Sequence, residues 1–539
     1  MTIDFDLLED PWIPVLDLGG RSRVLSLRAV FCEAHELSVL AGELPTQSFA
    51  ILRLLLAIVR RSFRHRPGTA AEAWQSIWQP AEGREPITLP VREIDDYLSE
   101  HAGRFRLFDP QRPFFQVAGL ESVNGAVNSL DRLIADVPNG EKYFTTRGGV
   151  SLERIEFAEA ARWLVHAQAF DPSGIKTGAV GDLRVKAGKG YPIGLAWTGN
   201  LGGLFWEGAS LRETLVLNLV LHDINEERFA VDDLPPWERE PDRADVDERR
   251  PAGPADLCTW QSRRIRLVRD DTHVTGVQLC NGDALEPFNR HTMEPMTAWR
   301  FSEAQTKKAG GQARHYPREH DPQRALWRGF TSLFSQADDA IAPGLLEWLS
   351  YLIDEGALPH THPVRLHAVG MRYINNQSVV GEVFDDTIGF RAALVSSNPR
   401  LRVIAINAVH AAEGAVDAVA GLAWNLALAS GGESVGARDR ARDHGYFTLD
   451  VPYRRWLGSL HPDGDVGSYL ERWEQLVRSV IEPIGDELVA SSGMHAWVGR
   501  EVRGSYLDAN IAASRFHGRL KKLLPGAYRH RGENGGTAA

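Results

Sequence analysis

The sequence contains little cysteine and no long uninterrupted apolar run, and each absence excludes a class of protein. Its three cysteines, Cys32, Cys258 and Cys280, are too few for a disulfide framework, and they form no Cys-x-x-Cys pair for a zinc knuckle. The apolar stretch 52–59 is broken by Arg53 and ends at an arginine pair, so we expect no membrane span. The first residues are acidic and lack the apolar segment of a signal peptide. We therefore expect a cytoplasmic protein with reduced thiols, without a cofactor or a structural metal.

The motifs of common enzyme classes are also missing. The sequence has no His-Glu-x-x-His and no Gly-x-Ser-x-Gly segment. In Gly174–Thr177, Ile175 occupies the place where a phosphate-binding loop needs glycine before lysine. We therefore expect no catalytic residue. One alternative stays open, a metal-dependent HD-type phosphohydrolase or nuclease that uses His222-Asp223 or His320-Asp321 with further ligands supplied by the fold.

Length and composition describe a multidomain globular protein. The chain has 539 residues, which is too long for one ordinary core. Hydrophobic residues make up 43% and charged residues 24%, which is typical of globular proteins. The formal net charge of −11 argues against a protein that covers nucleic acid with its whole surface.

A basic segment near the carboxyl end is the local exception to this acidic balance. Arg515, Arg519 and Lys522 recur at helical spacing and share one helix face. Such a face suits contacts to phosphates, which are blind to base sequence. A solvated helix end, where cations favour the helix dipole, explains the pattern equally well.

Residues 1–385 show short, mixed periods that predict a large mixed α/β domain. Pro11–Val15 predicts an edge strand, because proline is excluded from most central strands. Residues 46–61 predict a helix with an apolar face. The long stretch up to residue 385 thus combines helices and strands.

From about residue 391 the pattern changes to long helical periods. Helices are predicted over residues 404–429, 470–484 and 494–524, the last interrupted near Gly504. Successive amphipathic helices with short links predict a C-terminal helical, four-helix bundle over residues 386–525. The Gly-rich residues 526–539 are expected to form a flexible tail. The predicted fold class is therefore α+β.

The most informative local feature is the polar segment Met371–Ser378, which lies between two apolar segments. It predicts a hairpin whose tip carries Asn375, Asn376 and Gln377. Side-chain amides are suited to hydrogen bonding with base edges and phosphates. The alternative is an ordinary turn, because Asn tolerates a left-handed backbone and is frequent in turns.

Five short segments, in order along the chain, carry a resemblance to a known family. Each is weak alone, and their ordered combination is specific. They are Leu7–Val15 (with W-I-P-V), Arg112–Gln116, Gly174–Gly178, Leu211–Asn218 and Tyr373–Gln377. Together they resemble the CasA family, the large subunits of type I-E CRISPR Cascade surveillance complexes.

The resemblance implies a non-enzymatic DNA-binding subunit. It would recognise the protospacer-adjacent motif (PAM) of double-stranded target DNA from the minor groove and start strand separation and R-loop formation. The implied partners are the 5′ handle of the guide crRNA, the other Cascade subunits CasB, CasC, CasD and CasE, and a CRISPR helicase–nuclease recruited after the R-loop forms. Guide pairing would read the rest of the target.

The resemblance also implies roles for particular residues in DNA binding. Gln377 corresponds to a wedge that separates the first base pair, flanked by Asn375 and Asn376. Ser173 and Gly174 correspond to a glycine loop, with Ser173 at a position where the family pattern has glycine. That serine leaves the breadth of motif recognition open.

Two further regions follow from the resemblance. Lys176 is a nearby cation, or else a solvated loop lysine, and Arg290 corresponds by spacing to a lysine that enters the minor groove. The loop 136–149 would contact the guide handle and the motif, or else be a flexible surface loop. Its expected contact tip consists of Phe144, Thr145 and Thr146. A purely architectural helical scaffold is a third interpretation, in which mutation of the amide turn has no effect.

Overall fold

The structure, a computed structural model, describes residues 4–79, 87–137, 145, 147, 148, 150–246, 249–334 and 340–529. The chain forms two compact units. The first comprises Met1–Arg324, Ser335–Leu358 and Val364–Thr387, and the second Ala325–Phe334, Pro359–Pro363 and Ile388–Ala539. The chain therefore passes between the units several times before its last crossing near residue 387.

Helices and strands are mixed in the first part of the chain, and long helices are grouped near the carboxyl end. The helices are α1 Leu27–Glu33, α2 Pro45–Ser62, α3 Ala70–Trp78, α4 Val91–Glu100, α5 Val150–Glu153, α6 Phe157–Phe170, α7 Leu211–Leu217, α8 Pro254–Cys258, α9 Glu303–Lys308, α10 Phe330–Phe334, α11 Gly344–Asp354, α12 Arg400–Ser430, α13 Val435–Gly458, α14 Val466–Ala490, α15 Met494–Val498 and α16 Ala509–Leu523. The strands are β1 Ile13–Asp17, β2 Ser22–Leu25, β3 Leu37–Leu40, β4 Ile155–Glu156, β5 Lys176–Thr177, β6 Lys189–Gly190, β7 Gly203–Glu207, β8 Arg263–Arg269, β9 His273–Asn281, β10 Trp299–Phe301, β11 His315–Pro317, β12 Ala340–Ile341, β13 Pro363–Ile374, β14 Val379–Arg391, β15 Arg500–Val502 and β16 Ser505–Leu507. The predicted α+β class is confirmed.

Helix α2 is the central helix of the first unit. Pro45 stands in its first turn, where proline is favoured, and the helix includes the whole predicted span 46–61. It is buried on nearly every side, as expected of a core helix. Its interior Arg53 is fully buried and bonds Glu294 with two guanidinium nitrogens at 2.9 and 2.7 Å. This pairing compensates for burying both charges.

The prediction of an edge strand at Pro11–Val15 is wrong. Strand β1 lies in the middle of a three-stranded antiparallel sheet with the order β2-β1-β3. The sheet tolerates Pro14 because this residue stands at the end of the β1–β3 ladder, where its carbonyl accepts from the Ala41 N–H at 2.9 Å. The missing N–H of proline therefore costs one bond at the end of the ladder rather than one in its middle.

The second unit is built on α12, α13, α14 and α16. The predicted helices over 404–429 and 470–484 lie within α12 and α14, and the predicted third helix is interrupted by the β15–β16 hairpin, whose turn contains Gly504 at φ 78°. Tyr453 donates to the Ala405 carbonyl at 3.2 Å. Trp473 donates to the Ala408 carbonyl at 2.8 Å. These bonds join α13 and α14 to α12.

Helix α13 was not predicted from the sequence. Its residues are rich in Arg and Asp, and Pro452 stands in its interior, so its apolar pattern is weak. Its buried positions nevertheless recur every four residues, as Ala441, Gly445, Leu449, Tyr453 and Leu457. The buried rings of Tyr453 and Trp456 add to this stripe, because aromatic side chains bury a large apolar area each.

Helix α12 is the one described helix that is long and apolar enough to cross a membrane. Its most apolar 18-residue window is 56% buried inside the protein. The other bundle helices therefore account for its apolar character through core packing.

The carboxyl end of the second unit differs from the predicted flexible tail at residues 526–529. Pro525–Tyr528 forms a 3-10 turn, and the Gly526 N–H donates to Glu474 at 2.5 Å. The carboxylate thereby satisfies a backbone donor that is buried with Gly526. Residues 530–539 lie outside the described residues.

A three-stranded sheet of the order β14-β13-β7 carries the predicted hairpin. On β13, His367 Nδ1 lies 2.9 Å from Glu207 Oε2, and its Nε2 lies 2.5 Å from Asp385 Oδ1. Burial lowers the pKa of His367, but the hydrogen bonds that its ring donates to Asp385 and Glu207 outweigh this effect and raise the pKa to about 9. A charged imidazole thus links all three strands.

We predict that the first unit loses stability as the pH rises through about 9, because the folded protein holds the His367 proton up to that pKa. In the unfolded chain the imidazole releases its proton near pH 6.5, so the contribution of His367 is complete only below that value. His367→Gln should remove this dependence. Urea unfolding of both proteins at pH 6 and pH 10 measures it.

The exposed His65 provides a matched control. His65→Gln should keep the pH dependence of the wild type. If the stability difference between wild type and His367→Gln is the same at both pH values, the His367 contacts do not hold a proton.

Candidate nucleic-acid interface

The turn between β13 and β14 presents three amide side chains to solvent. Asn375, Asn376 and Gln377 are all exposed, and they follow one another along the chain. Their φ angles are 51°, 56° and 65°, in the left-handed region. The predicted hairpin with an amide tip is therefore present.

This backbone is strained, because a non-glycine residue in left-handed conformation costs roughly 1–2 kcal/mol. Asn accepts the conformation more readily than Gln does. Two hydrogen bonds of Ser378 close the turn. Its N–H donates to the Ile374 carbonyl at 3.1 Å, and its hydroxyl donates to the Asn375 backbone carbonyl at 2.7 Å. The long strands on either side hold the ends of the turn in place.

A second loop touches this turn through the backbone. The Ser173 N–H donates to the Gln377 carbonyl at 2.9 Å. Gly174 has a φ of 150°, which favours glycine, and space is open where a Cβ would stand. Ser173 is not among the positive-φ residues, so serine fits its backbone without strain. The two predicted DNA-binding segments therefore meet in space.

A buried carboxylate anchors the base of this second loop. Asp171 Oδ2 accepts from Arg263 Nε at 2.5 Å and lies 2.6 Å from Lys176 Nζ. Burial acts to raise the pKa of Asp171, but Lys176 and Arg263 outweigh it, and the pKa lies below its ordinary value. The carboxylate is thus charged and holds both ends of the loop.

The guanidinium of Arg263 is fully buried and also fixes the backbone around the loop. It donates to the carbonyls of Asp171, Pro172 and Gly194 at 3.2, 3.2 and 2.9 Å. Tyr373, just before the amide turn, donates to the Phe170 carbonyl at 2.6 Å. The loop and the hairpin are therefore both attached to the same buried group of residues, Phe170, Asp171 and Arg263, which we call the buried frame.

Lys176 is not the solvated loop lysine that the sequence left open. Its ammonium is largely buried between Asp171 and the Pro172 carbonyl, 3.4 Å away. Burial lowers the pKa of Lys176 more than its pairing with Asp171 raises it. In this structure Lys176 positions the loop rather than facing outward.

A cavity of about 280 Å³ opens beside the loop and the turn. Its lining includes Ser173, Gly174, Ser378 and the exposed Arg132. Among the described residues, Arg132 forms no ion pair. Sequence reasoning missed this arginine because a single Arg in an irregular segment carries no pattern, and it also missed the anchoring residues Asp171 and Arg263.

Arg290 lies in a different local environment. The side chain is half-buried, and its carbonyl accepts from the N–H groups of Met293 and Glu294 at 2.9 and 2.8 Å. The N–H of the neighbouring Asn289 donates to the His315 carbonyl on β11 at 2.8 Å, and the His315 N–H donates to the Asn289 side-chain oxygen at 2.8 Å. In the described part of the chain, no hydrogen bond or ion pair joins Arg290 to the amide turn.

The predicted handle-contacting loop is described only in part. Phe144 and Thr146 lie outside the described residues. Thr145 is half-buried, and its hydroxyl accepts from the Arg147 N–H at 3.1 Å. The Arg147 side chain in turn pairs with Asp136 at 3.0 Å, which closes the loop at its base.

Arg515, Arg519 and Lys522 lie on α16 in the second unit, and all three are exposed. Their spacing places them on one face, as predicted. The Arg519 guanidinium donates a long hydrogen bond to the Asp417 carbonyl, 3.5 Å away. The face is available for phosphates, and each contact would be blind to sequence.

The two histidines of the hydrolase alternative have structural partners. His222 Nδ1 lies 2.7 Å from its neighbour's carbonyl, and the ring packs against Trp348 and Tyr351. His320 Nε2 lies 3.1 Å from the Gly203 carbonyl, and burial lowers its pKa to about 4. Within the described ranges no three His, Cys, Asp or Glu side chains converge on a metal position. The geometry therefore gives this alternative no support.

The chain matches the family model described as CRISPR-associated protein Cse1 over residues 6–482. A CasA/Cse1 protein from Thermus thermophilus is 28% identical over 352 residues, an alignment that covers 63% of this chain and 62% of that protein. The alignment thus spans less than two thirds of that relative.

Solved structures share the fold over almost the whole chain. The crystal structure of Thermobifida fusca Cse1 is 43% identical, with a TM-score of 0.89, and covers 97% of this chain and 99% of that one. A chain of a CRISPR RNA-guided surveillance complex has a TM-score of 0.70 at 19% identity, and covers 96% of this chain and 99% of that one. At that identity the second likeness establishes the fold alone.

We predict that Arg263→Met lowers the free energy of unfolding of the first unit by about 3–5 kcal/mol, as expected when one partner of a buried ion pair is removed. The change leaves Asp171 with a single cation and removes the donor to the carbonyls of Asp171, Pro172, Gly194 and Ser262. Urea denaturation followed by tryptophan fluorescence measures it.

Arg243→Met is the matched control, because Arg243 is 81% exposed in its pair with Asp245. Exposed ion pairs contribute little, so this variant should unfold like the wild type. Equal loss in the two variants would show that Arg263 is not the anchor of the loop.

Proposed function

Because the chain belongs to the CRISPR-associated protein Cse1 family, we propose that it is a non-catalytic subunit of an RNA-guided surveillance complex. Its task is to recognise a protospacer-adjacent motif in double-stranded DNA and to begin strand separation. The likeness to a chain of a surveillance complex supports the assembly. The observation that carries the proposal is the amide turn, which is exposed, left-handed and bonded to the glycine-containing loop.

The geometry of the turn suits insertion into a base-pair step. Gln377 carries an uncharged side chain that donates and accepts hydrogen bonds, so it can replace some of the bonds of a separated pair. Unstacking a step costs a few kcal/mol, which contacts to the displaced bases and the backbone must offset. Strands β13 and β14 and the hydrogen bond from Ser173 hold the amide turn in place while it is inserted between bases.

The loop at Ser173 and Gly174 reads the motif beside the wedge. Open space at Gly174 allows a sugar or base edge to approach the backbone closely. In the minor groove the edge pattern is degenerate, so several related motifs are accepted. Because Ser173 is bonded to Gln377, motif recognition and wedge insertion act as one rigid element.

Cations on each of the two units supply sequence-independent affinity. Arg132 faces the cavity beside the loop and takes the role that the sequence had suggested for Lys176. Arg290 is assigned a minor-groove contact, and α16 contributes the phosphate-binding face of Arg515, Arg519 and Lys522. The chain has a net charge of −11, and these groups provide positive charge only at the positions where they lie.

The proposed partners follow from the same assembly. The loop 136–149 contacts the 5′ handle of the guide crRNA and the motif region. The remaining subunits, CasB, CasC, CasD and CasE, hold the guide and the DNA, and a helicase–nuclease is recruited once the R-loop has formed. Base pairing to the guide reads the target beyond the motif.

We predict that Gln377→Ala in the reconstituted complex weakens binding to duplex target about tenfold or more, since the bases must then separate without the wedge. Binding to a target whose first base pairs are already mismatched should be retained. Gel-shift titrations with the two DNAs measure the difference.

Gln75→Ala serves as the control, because Gln75 is exposed on α3. It should leave both affinities unchanged. Equal weakening of duplex and pre-opened DNA by Gln377→Ala would contradict the wedge role and leave only general DNA binding.

We also predict that replacing Arg515, Arg519 and Lys522 together by Ala makes DNA binding less salt-dependent. The slope of log affinity against log salt should become shallower by about 0.9 for each phosphate that the variant no longer neutralises. Measuring affinity between 50 and 200 mM salt on targets with and without the motif tests this. The weakening should be the same for both DNAs.

Arg472→Ala is the comparison variant, because Arg472 is exposed on α14 of the same unit. Its slope should match that of the wild type. A triple variant with an unchanged slope would mean that the basic face of α16 does not contact phosphates.

A further inference from the structure

Helix α13 carries an exposed face with an apolar centre and basic ends. Its members are spaced so that they share one side of the helix: Arg440, His444, Phe447, Val451 and Arg455. Phe447 is 82% exposed and Val451 is 51% exposed. We refer to these five residues as the α13 face.

Exposing a phenylalanine ring to this extent is unfavourable in water. Val451 lies one helical turn after Phe447, so the two side chains form a continuous apolar area. The opposite side of the same helix is fully used, since Leu449, Tyr453 and Leu457 are buried against the bundle. Within the described residues, the apolar centre of the α13 face therefore lies outside the packed core of the second unit. It is available for another molecule.

We propose that the α13 face docks a protein partner whose surface has an apolar centre flanked by carboxylates. The proposal rests on the function proposed above, in which the chain is one subunit of a larger complex. Arg440 and Arg455 are 15 positions apart, so the carboxylates should lie about 22 Å apart, at 1.5 Å per helical residue. Within the described residues neither guanidinium has an ion-pair partner.

Charge disfavours the α13 face of a second copy of this chain as the occupant. In an antiparallel pair of α13 faces, Arg440 of each copy would face Arg455 of the other. In a parallel pair each arginine would face itself. Both arrangements bring like charges together, which disfavours association.

A nucleic acid fits this face less well than a protein does. Single-stranded nucleic acids are bound by several large aromatic rings and a continuous basic track. The centre of the α13 face has one such ring, Phe447, and Val451 offers no ring to stack on. The exposed Asp443 lies on the same helix, and its charge would repel phosphates. A buried aromatic anchor with charged residues at the rim is instead typical of protein interfaces.

The rim of the face adjoins a cavity of about 450 Å³ between α12, α13 and α14. Arg440 and His444 line its edge, and Ala441, Ile484 and Leu488 form part of its apolar wall. A partner side chain that enters this cavity would bring an adjacent carboxylate close to Arg440. The cavity thus fixes the register of the partner along α13.

The test measures association of the full-length chain with the remaining subunits assembled on guide RNA, by biolayer interferometry. Phe447→Glu and the double variant Arg440→Glu/Arg455→Glu should each weaken association about tenfold or more, as expected at the centre and the charged rim of an interface. Val403→Glu, at a residue 48% exposed on α12, is the matched control and should associate like the wild type. Circular dichroism melting checks that each variant is folded.

A separate measurement uses the isolated chain and a single-stranded DNA probe. If both variants associate normally with the other subunits, the protein docking role is wrong. If they associate normally but lose binding to the DNA probe, the face is a nucleic-acid site and the proposal is also overturned. If the wild type itself does not associate, the proposed subunit function fails together with this inference. Normal association of the variants alone overturns the inference and leaves the subunit function intact.

Discussion

The candidate site depends on one carboxylate that shares its charge between two cations. Asp171 lies where α6 ends, and its pairing with Arg263 and Lys176 ties that helix end to β8 and to β5. Burying an ion without partners costs several kcal/mol, so the close approach of the two cations offsets the cost of burying Asp171. The loop between Asp171 and Lys176 has few remaining degrees of freedom. Its backbone N–H at Ser173 can therefore support the strained amide turn.

The strained turn and the buried frame explain each other. Three successive left-handed residues persist only where the surroundings over-determine them. Here the surroundings are two long strands, the hydroxyl of Ser378 and the bond from Ser173. Strain of this kind is found at functional sites because it fixes side chains that would otherwise sample several directions. The amides are accordingly presented as a set rather than as three independent groups.

Sequence reasoning succeeded where a pattern reports directly on burial or turn chemistry. The apolar period of α2 and the amide tip at Asn375–Gln377 are examples, and the family resemblance came from ordered short segments. It failed at Pro14, because the position of a residue within a ladder depends on strand pairing that the local sequence does not contain. It also failed at α13, where one stripe of small, aliphatic and aromatic residues lies among charged ones. The role of Lys176 depends on its partner Asp171, and the second cation of that carboxylate, Arg263, is far away in the chain.

The interleaving of the two units has a consequence for how the protein is made and divided. Trp327 and Phe330 precede the last strand of the first unit, yet their rings pack on Tyr453 at 4.6 Å and on Phe390 at 6.0 Å. A fragment that starts after the hairpin would lack both rings and could not complete the helical core. During synthesis, more than a hundred further residues must be added after Trp327 before its neighbour Tyr453 is present. No single cut of the polypeptide separates the two units into independent pieces.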